Sequence, residues 1–569
     1  MLANSFAEFF KDKIDKIRHK FSDFAYEQQN VENESNPKNV FAHFSEVTIE
    51  HVTKVIRSMS NSYCTLDPAP TWLVKACLEE LAPLITQIVN RSLATGYVPT
   101  ALKNAIIKPI LKHKGEDTEE LKNYRPVSNL SFLSKVLEKV VAVQVERFIV
   151  ENDLNDTFQS AYKQCYSTET ALLKVSNDIM HALDRNQQVY MVNLDLSAAF
   201  DTVDHNILIS RLETVYKFES AVLSWFVSYL SSRTQSVMID HITSSAKPVT
   251  CGVPQGSVLG PRLYTMYVQP LAAIIVRHNI QYHGYADDLQ LYISTKRDAA
   301  NTLVAIRSLE NCVTDIAGWM HANHLKLNDS KTNFICFSSA ASKASSIGHN
   351  TIRIIDSTIK ASDSVKNLGC TLDKHMLLKE QVMRVCSASN YHLRNIARIK
   401  KYLTQDVLRL LVQAFVASRL DYCNSLYYGL PGCVLKRLQL VQNRAARIVT
   451  NTANMCHITP VLKELHWLPL EQRVTYKIAS MVHKSCYGFS PDYIDEALVW
   501  HQPTRGLRSG ERLNVTPSRK STVRYGERTI PNMAAHSWNG LPDSLKECEN
   551  ATLFKKGLKT HLFRKYFDC

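Results

Sequence analysis

The sequence predicts a mixed α/β protein, in which one segment that contains a sheet lies between segments that are largely helical. Between residues 186 and 375, short runs of β-branched and aromatic residues alternate with longer amphipathic stretches, which is typical of a sheet covered by helices. On both sides of this segment, apolar residues recur every three to four positions, as on one face of a helix. We therefore expect a central α/β unit with helical extensions.

Length and composition narrow the class of protein further. The chain has 569 residues, 45% of them hydrophobic, so it is long enough for several domains and apolar enough for packed cores. The net charge of +14 favours a polyanionic partner, although a basic protein without such a partner is equally compatible with it. The 14 cysteines include no Cys-x-x-Cys pair, which argues against a disulfide framework and a structural zinc site.

The sequence also bears on the compartment. The N-terminus lacks the basic start and apolar stretch of a secretory signal, and no apolar run approaches the roughly 20 residues that span a bilayer. We therefore expect a protein of the nucleus and cytoplasm that is not secreted and has no membrane partner.

The N-terminal hundred residues are predicted to be helical. Apolar residues at helical spacing predict a helix over 3–25, and the polar stretch 27–39 predicts a linker. The helical pattern resumes over 41–98, with a break at 67–70 (Asp-Pro-Ala-Pro), because proline ends a helix.

The central part is predicted to alternate strands with helices. A strand is expected over 104–112, and the β-prone run 189–196 predicts a strand that is buried on both faces. Helical stretches over 205–232 and 260–277 enclose a loop rich in glycine and proline, 252–260.

The sheet segment is predicted to end near residue 375. Strand-like runs recur at 281–293, 333–338 and 365–373, around a helix at 298–321. Beyond 376 the pattern is largely helical.

Two adjacent aspartates, Asp287 and Asp288, interrupt an apolar and aromatic run. Side chains that are adjacent in a strand point to opposite faces, and buried anions are unfavourable unless a cation neutralises them. A third carboxylate, Asp195, closes the buried strand at 189–196; taken alone, a helix N-cap is its usual explanation. Together, the three side chains predict a sheet edge that holds two divalent metal ions about 3.5–4 Å apart.

The loop Gly252–Pro261 adds a candidate ligand site between these carboxylates. Glycines let the backbone approach a ligand closely, and Gln255 offers both hydrogen-bond donors and an acceptor. An ordinary turn is the alternative, but the order of the elements argues against it.

These motifs together resemble a known family. The strings Asp195-x4-Phe200-Asp201, Gly252-Val-Pro-Gln-Gly-Ser-Val-Leu-Gly-Pro and Tyr285-Ala-Asp-Asp resemble motifs A, B and C of reverse transcriptases. Further matches are Asn123-Tyr-Arg-Pro-Val-Ser, Trp319-x3-Asn-x-Leu-x-Leu-Asn-x2-Lys-Thr, and Val365-Lys-Asn-Leu-Gly, which resembles a primer-grip hairpin. The chain is similar to non-LTR (LINE-type) retrotransposon polymerases of the Jockey and chicken-repeat-like clades.

The resemblance implies a right-hand polymerase fold with helical N- and C-terminal extensions. The expected segments are an N-terminal helix and linker (1–40), a helical N-terminal extension (41–103), fingers (104–185), a palm that forms the reverse transcriptase catalytic core (186–375), a helical thumb (376–455) and a mostly helical C-terminal domain (456–569).

The resemblance also implies the catalytic roles. Asp195 and Asp287 are expected to bridge two Mg²⁺ ions, for which Mn²⁺ can substitute, with Asp288 and the backbone carbonyl of Leu196 as further ligands. Lys331 is expected to protonate the leaving pyrophosphate; a solvated charge at a helix end is its alternative.

A second set of residues is expected to bind the incoming dNTP. Arg125 would clamp the triphosphate, since a planar guanidinium suits bidentate contacts, and Phe200 would exclude a ribose 2′-OH by its bulk. Without the resemblance, Arg125 is better explained as a turn residue and Phe200 as a core residue. The expected dNTP-binding residues are Lys112 or Lys114, Arg125, Phe200, Gln255 and Gly256.

Contacts with nucleic acid are expected from a hairpin and a helix. Leu368 and Gly369 correspond to the primer grip. In the helix predicted over 434–449, arginines share one face opposite an apolar stripe, as expected of a thumb beside a duplex, although a solvated cationic face is the alternative. These arginines are Arg437, Arg444 and Arg447.

The expected function is that of an RNA-directed DNA polymerase: transfer of nucleotides from dNTPs to a DNA primer 3′-OH on an RNA template, by target-primed reverse transcription, with no redox cofactor. The alternative is a catalytically inactive, retroelement-derived nucleic-acid-binding protein. An RNA-dependent RNA polymerase is disfavoured by the bulk of Phe200. Relatives carry an apurinic-type endonuclease before the polymerase, and residues 1–60 lack its catalytic set, so we expect no intrinsic DNA nicking.

The sequence departs from the family pattern in three places. Residues 163–168 read Lys-Gln-Cys-Tyr-Ser-Thr where an Arg-Lys-Gly-His-Ser-Thr-type stretch is usual. Arg262 follows Gly260-Pro261 where an aliphatic residue is usual, and Gly284 precedes Tyr285 where a bulkier residue is common.

Overall fold

A computed structural model of the chain describes residues 2–19, 21, 39–113, 115–339, 350–355, 357–501 and 513–568. The linker predicted over 27–39 lies outside these residues except for Asn39, and so does Lys114.

The α-helices of the first two thirds are α1 (Leu2–His19), α2 (Ile49–Ser58), α3 (Thr71–Ala76), α4 (Leu78–Thr95), α5 (Phe132–Glu151), α6 (Thr168–Asp184), α7 (His205–Thr214), α8 (Ser220–Leu230), α9 (Gly260–Val268), α10 (Leu271–Arg277) and α11 (Ala299–Ala322). Those of the last third are α12 (Lys379–Ile399), α13 (Gln405–Val412), α14 (Ser418–Asp421), α15 (Gly432–Thr450), α16 (Ile458–Glu464), α17 (Leu470–Cys486), α18 (Asp492–Asp495), α19 (Ile530–Trp538), α20 (Asp543–Lys546) and α21 (Ala551–Phe567).

The strands are β1 (Asn104–Leu111), β2 (Tyr124–Leu130), β3 (Gln188–Leu194), β4 (Leu196–Ser197), β5 (Arg233–Ile239), β6 (Ile242–Thr243), β7 (Lys247–Val249), β8 (Gln281–Tyr285), β9 (Asp288–Thr295), β10 (Lys326–Leu327), β11 (Asn333–Phe337), β12 (Thr351–Ile354), β13 (Ser357–Lys360), β14 (Ser364–Asn367) and β15 (Cys370–Asp373).

A four-stranded antiparallel sheet is the centre of the fold. Its order is β11-β3-β9-β8, so the strand that leads to Asp195 pairs directly with the strand that starts at Asp288. Residues of β3 are buried on both faces, as predicted. Tyr190 and Val192 face a core shared with α5, α8, α9 and α11, whereas Val189 and Met191 face a second core shared with α6 and the C-terminal helices.

A second sheet lies earlier in the chain. Strand β1 pairs with β2 antiparallel and with β5 parallel, and β7 pairs with the other side of β5. Both β2 and β5 were missed by the sequence analysis. Helix α1 packs Phe6 and Phe10 against Ile107 of β1 and Val237 of β5, which joins the N-terminus to this sheet.

Several predicted elements are divided in the structure. The helical stretch 205–232 is two helices, α7 and α8, because Lys217 adopts a positive φ of 53° between them. The strand predicted over 281–293 is the hairpin β8–β9. The helix at 260–277 is divided into α9 and α10.

The C-terminal helices pack directly beneath the central sheet. The Ser160 Oγ lies 2.8 Å from His283 Nε2 on β8 and 2.9 Å from the Tyr493 hydroxyl on α18, and Tyr493 donates to Thr170 at 3.0 Å. His283 is fully buried, and burial lowers its pKa to about 3, so the ring is neutral. This polar contact ties the C-terminal part to the strand that leads to Asp287.

The departure at Arg262 has a structural explanation. Its guanidinium pairs with Glu146 of α5 at 2.9 Å and donates to Asn155 at 2.9 Å, so the charge is neutralised beside α9.

Among the described residues, no helix is both long enough and apolar enough to cross a membrane.

Candidate active site

Asp195 stands at the junction between β3 and β4. The register pairs Leu194 of β3 with Leu289 of β9, which places Asp195 level with Asp288 on the neighbouring strand. Asp195 accepts a hydrogen bond from Asn328 Nδ2 at 3.1 Å. The third carboxylate, Asp287, lies in the turn that ends β8.

The β8–β9 turn consists of two residues, Ala286 and Asp287, between the paired Tyr285 and Asp288. Such tight turns need a positive φ, which Ala286 adopts at 57°. An alanine has an unfavourable energy in this region, so neighbouring contacts must hold it there.

Gln159 supplies those contacts. Its side chain accepts a hydrogen bond from the Ala286 N–H at 2.9 Å and donates to the Ala286 carbonyl at 3.3 Å. A Cβ on Gly284 would lie only 2.9 Å from the Gln159 Nε2, which explains why glycine replaces the bulkier residue usual at this position. The turn that carries Asp287 is therefore clamped by a side chain from the segment before α6.

The three carboxylates repel one another. Burial and the charge of Asp195 raise the pKa of Asp287, against the opposing effects of Arg125 and Lys331. Desolvation and the charges of Asp287 and Asp195 raise the pKa of Asp288 to about 6. Because Asp288 is exposed at the surface of the cleft, we regard charge repulsion as the main cause of its shift.

Lys331 offsets part of this charge. Its Nζ lies 3.2 Å from Asp195 Oδ2, and its side chain is 65% exposed. The lysine therefore lies beside the carboxylates, as predicted, but it makes an ion pair with one of them.

The residues fit a divalent cation. Among the described residues, no three His, Cys, Asp or Glu side chains are drawn together closely enough to form a metal cluster. The site nevertheless combines hard carboxylate oxygens, the ligands that Mg²⁺ prefers, with repulsion that a cation would relieve. Asp195, Asp287, Asp288 and the backbone carbonyl of Leu196 would hold the metal.

Phe200 and Gln255 lie on neighbouring segments, because the Val253 N–H donates to the Phe200 carbonyl at 2.8 Å. The Phe200 ring stacks on Tyr264 of α9, with 4.6 Å between centroids. Gln255 Nε2 donates to Asp201 at 2.8 Å, and its backbone carbonyl accepts from the Ser128 N–H at 2.7 Å. Burial raises the pKa of Asp201 to about 6 against the lowering effect of Gln255.

The loop that carries Gln255 is held against its neighbours. Gly256 has a φ of 118°, and a Cβ there would lie 2.5 Å from the Ser128 carbonyl, so only glycine fits. The buried carboxylate of Glu138 on α5 accepts from the backbone N–H groups of Val258 and Leu259 at 2.7 and 3.0 Å. These contacts fix the start of α9.

The predicted triphosphate residues lie on the β1–β2 hairpin. Arg125 is exposed, and it is the register partner of Ile110 across the hairpin. Its positive charge lowers the pKa of Asp287. Lys112 Nζ hydrogen-bonds the Lys122 carbonyl. Desolvation and the nearby Lys13 lower the pKa of Lys112.

The predicted primer grip is the turn between β14 and β15. Leu368 and Gly369 have φ values of 42° and 83°. Tyr422 donates to the Leu368 carbonyl at 2.6 Å, and Asn367 donates to Gln290 of β9 at 2.8 Å. The turn is thus connected both to the C-terminal helices and to the strand that begins with Asp288.

The three predicted arginines of α15 are not equivalent. Arg437 and Arg444 are exposed, and Arg444 donates to Asn390 of α12 at 3.1 Å. Arg447 is half-buried and donates to the Cys456 carbonyl at 3.1 Å, which gives it a structural contact.

The family description "Reverse transcriptase (RNA-dependent DNA polymerase)" matches residues 110–372, which include every motif residue of the site. The probable RNA-directed DNA polymerase from transposon BS of Drosophila melanogaster is 26% identical over 83% of this chain and 52% of that protein. Residues 110–372 are therefore a reverse transcriptase domain, and the chain is similar to the RNA-directed DNA polymerases of non-LTR retrotransposons. The predicted resemblance to these polymerases and the mixed α/β class are confirmed, whereas the right-hand arrangement and the segment boundaries stay predictions.

Two further relatives match the chain with similar identity and coverage. The RNA-directed DNA polymerase from mobile element jockey of Drosophila melanogaster is 25% identical over 60% of this chain and 37% of that protein. The probable RNA-directed DNA polymerase from transposon X-element of Drosophila melanogaster is 25% identical over 70% of this chain and 43% of that protein. The chain thus spans about half, or less, of the length of these relatives. A solved apo telomerase from Candida tropicalis matches 66% of this chain and 63% of that chain, at 12% identity and a TM-score of 0.37.

Sequence reasoning missed the residues that hold the site in place. Gln159, Glu138 and Asn328 contact it through bonds that span more than a hundred positions. For Gln159 the signal in the sequence was Gly284, whose unusual small size points to a close neighbour, whereas Asn328 stands in the matched motif Trp319-x3-Asn-x-Leu-x-Leu-Asn-x2-Lys-Thr, where no role was assigned to it.

We predict that Gln159→Ala lowers the free energy of unfolding by about 1–3 kcal/mol, because both hydrogen bonds to Ala286 are lost. Urea denaturation measures the change, with Gln281→Ala, at an exposed position of β8, as control. Gly284→Ala is expected to destabilise the protein. In a chain that already carries Gln159→Ala the same substitution is expected to cost less, because the Gln159 Nε2 that crowds the new Cβ has been removed. Additive effects of the two substitutions would contradict the proposed clamp.

We predict that Asp288→Asn stabilises the metal-free protein at pH 7.5. A raised carboxyl pKa means that folded-state stability falls as pH rises from about 4 to about 6. After discounting for solvent, the gain in the free energy of unfolding is about 1 kcal/mol, or about 1 °C in Tm, and it disappears below pH 4. Differential scanning calorimetry measures it, with Asp240→Asn as the exposed control. A variant whose Tm equals that of the wild type at pH 7.5 would contradict the charge repulsion at Asp288.

Proposed function

We propose that this chain is an RNA-directed DNA polymerase, which adds deoxynucleotides from dNTPs to a DNA primer on an RNA template. The observation that carries the proposal is the set of three mutually repelling carboxylates, Asp195, Asp287 and Asp288, within a reverse transcriptase domain. The chain covers only part of its relatives, so activity, substrates and partners are all part of the proposal.

The carboxylates would hold two Mg²⁺ ions, with the Leu196 carbonyl as a further ligand. When bound, such ions lower the pKa of the attacking 3′-OH and stabilise the leaving pyrophosphate. The bond that forms joins the primer 3′-oxygen to the α-phosphorus, and the bond that breaks releases pyrophosphate. Lys331, at 3.2 Å from Asp195, would move from this ion pair to protonate the leaving group.

The walls of the cleft would select the nucleotide. Arg125 and Lys112 on the β1–β2 hairpin supply positive charge for the triphosphate. Phe200, held by its stack on Tyr264, would exclude a ribose 2′-OH. Gln255 has its amide nitrogen engaged with Asp201, which leaves its amide oxygen and the Gly256 backbone to line the nucleotide.

Nucleic acid would lie along the C-terminal side of the cleft. The Leu368–Gly369 turn would contact the primer, and the exposed Arg437 and Arg444 would contact duplex phosphates. The element's life cycle would use a nicked target 3′-OH as primer, within a ribonucleoprotein of the cytoplasm and nucleus.

We predict that Asp287→Asn combined with Asp288→Asn abolishes extension of oligo(dT) on poly(rA), because two metal ligands become neutral. Binding of the duplex is expected to stay within about threefold, since phosphate contacts determine it. Primer extension and fluorescence anisotropy measure the two properties, with Asp117→Asn combined with Asp240→Asn as a control of equal charge.

Undiminished synthesis by the double variant would rule out the mechanism. A wild-type chain that binds the hybrid duplex but extends no primer in Mg²⁺ or Mn²⁺ would instead favour the inactive nucleic-acid-binding protein.

We predict that Phe200→Val admits ribonucleotides, because the smaller side chain leaves space for the 2′-OH. The ratio of kcat/KM for dTTP to that for UTP is expected to fall at least about tenfold. Phe200→Tyr should keep the discrimination, and Phe415→Val, at an exposed phenylalanine between α13 and α14, controls for loss of a ring. An unchanged ratio in Phe200→Val would refute the assignment of this residue.

A further inference from the structure

Helix α1 contacts both walls of the candidate active site. At its N-terminal end it belongs to the β1–β5 sheet. Phe6 and Phe10 pack against Ile107 and Val237, and the Phe6 ring meets Tyr124 of β2 edge-on at 5.0 Å.

Polar contacts reinforce this attachment. Asn4 accepts from the Ser245 N–H at 3.1 Å, and Glu8 pairs with Lys247 of β7. The first half of the helix is therefore anchored to the sheet that carries Arg125.

At its C-terminal end the helix is attached to the opposite wall. Arg18 Nη2 donates to Asp204 Oδ2 at 2.7 Å, and the Asp204 side chain is only 11% exposed. Asp204 also caps α7 by accepting from the Asn206 and Ile207 N–H groups. Hydrogen bonds from His324 and Arg18 hold its pKa well below the usual range, so the carboxylate stays charged. Arg18 is thus the connection from α1 to the segment that follows Phe200.

Between these two attachments, α1 covers a cavity of about 110 Å³. Phe10, Lys13 and Ile14 line it from the helix, whereas Asp201 and Gln255 line it from the opposite side. These last two residues are hydrogen-bonded to each other, and Gln255 is one of the residues proposed above to line the dNTP. A shift of the helix would therefore change the surroundings of Gln255.

We propose that α1 is a strut that fixes the spacing between the β1–β5 sheet and the central sheet, with Arg18 as its positioning residue. By holding Asp204 in place, Arg18 keeps the Asp201–Gln255 pair and the β1–β2 hairpin at the distance that binds dNTP. It touches no substrate, and its effect is on affinity for the incoming nucleotide. The inference rests on the proposed polymerase activity only where it concerns dNTP.

The test compares Arg18→Ala with Arg18→Lys in the full chain. Arg18→Ala is expected to raise the KM for dTTP about tenfold, while kcat and the Kd for primer–template stay within about twofold of the wild type. Arg18→Lys, which restores the positive charge, is expected to return the KM to within about threefold. Lys16→Ala is the matched control, because Lys16 is exposed and lies about 200° around the helix from Arg18.

Hydrogen exchange tests the strut without any need for catalysis. The N–H groups of Gly252 and Val253 donate to the Val203 and Phe200 carbonyls at 2.7 and 2.8 Å, and these bonds report on the loop beside the cavity. Arg18→Ala is expected to speed exchange over 104–111 and 250–256 at least about fivefold, with α15 unchanged.

The outcomes separate the two proposals. A kcat that falls with KM unchanged, or exchange equal to that of the wild type, would overturn the strut. If the wild type extends no primer, the proposed function fails, and the exchange experiment still decides the role of Arg18.

Discussion

Repulsion among three carboxylates at one edge of a four-stranded sheet is the constraint on which the rest of the structure depends. Asp195 and Asp288 are level on adjacent strands, and Asp287 lies in the turn between β8 and β9. Like charges on such neighbouring residues repel each other, and they move apart unless the backbone is held. The fold supplies that restraint through a strand buried on both faces and a turn clamped by Gln159.

The supporting contacts come from segments that are far apart in the sequence. Glu138, from an early helix, holds the loop before α9, and Gln290, two residues beyond Asp288, accepts from Asn367 of the β14–β15 hairpin. The first helix reaches the same region through Arg18. Contacts between residues far apart in the sequence therefore surround the site.

Much of this could be predicted from local sequence. The strand that leads to Asp195 was evident because a β-prone run without polar alternation is typical of a doubly buried strand. Strand β2 was missed because Pro126 argues against a strand, yet β2 lies at the edge of its sheet, where a missing N–H is tolerated. The break at Lys217 was also invisible, since lysine gives no signal for a positive φ.

The site was predicted less completely than the fold. The motif residues were identified by type and order, and the structure brings Asp195, Asp287, Asp288 and Lys331 together. Their roles stay predictions. The Gln159 clamp could not be inferred, because its two hydrogen bonds connect positions 127 residues apart and depend on how the segments pack.

The packing beneath the central sheet has a consequence for chains that lack the C-terminal helices. Val189 and Met191 share one core with Tyr493, Trp538 and Phe554. A shortened chain that lacks α19 to α21 would lose Trp538, Phe554 and the other buried residues of these helices from that core. Such a chain would retain Asp195, Asp287 and Asp288, yet the core shared by Val189 and Met191 would be incompletely packed.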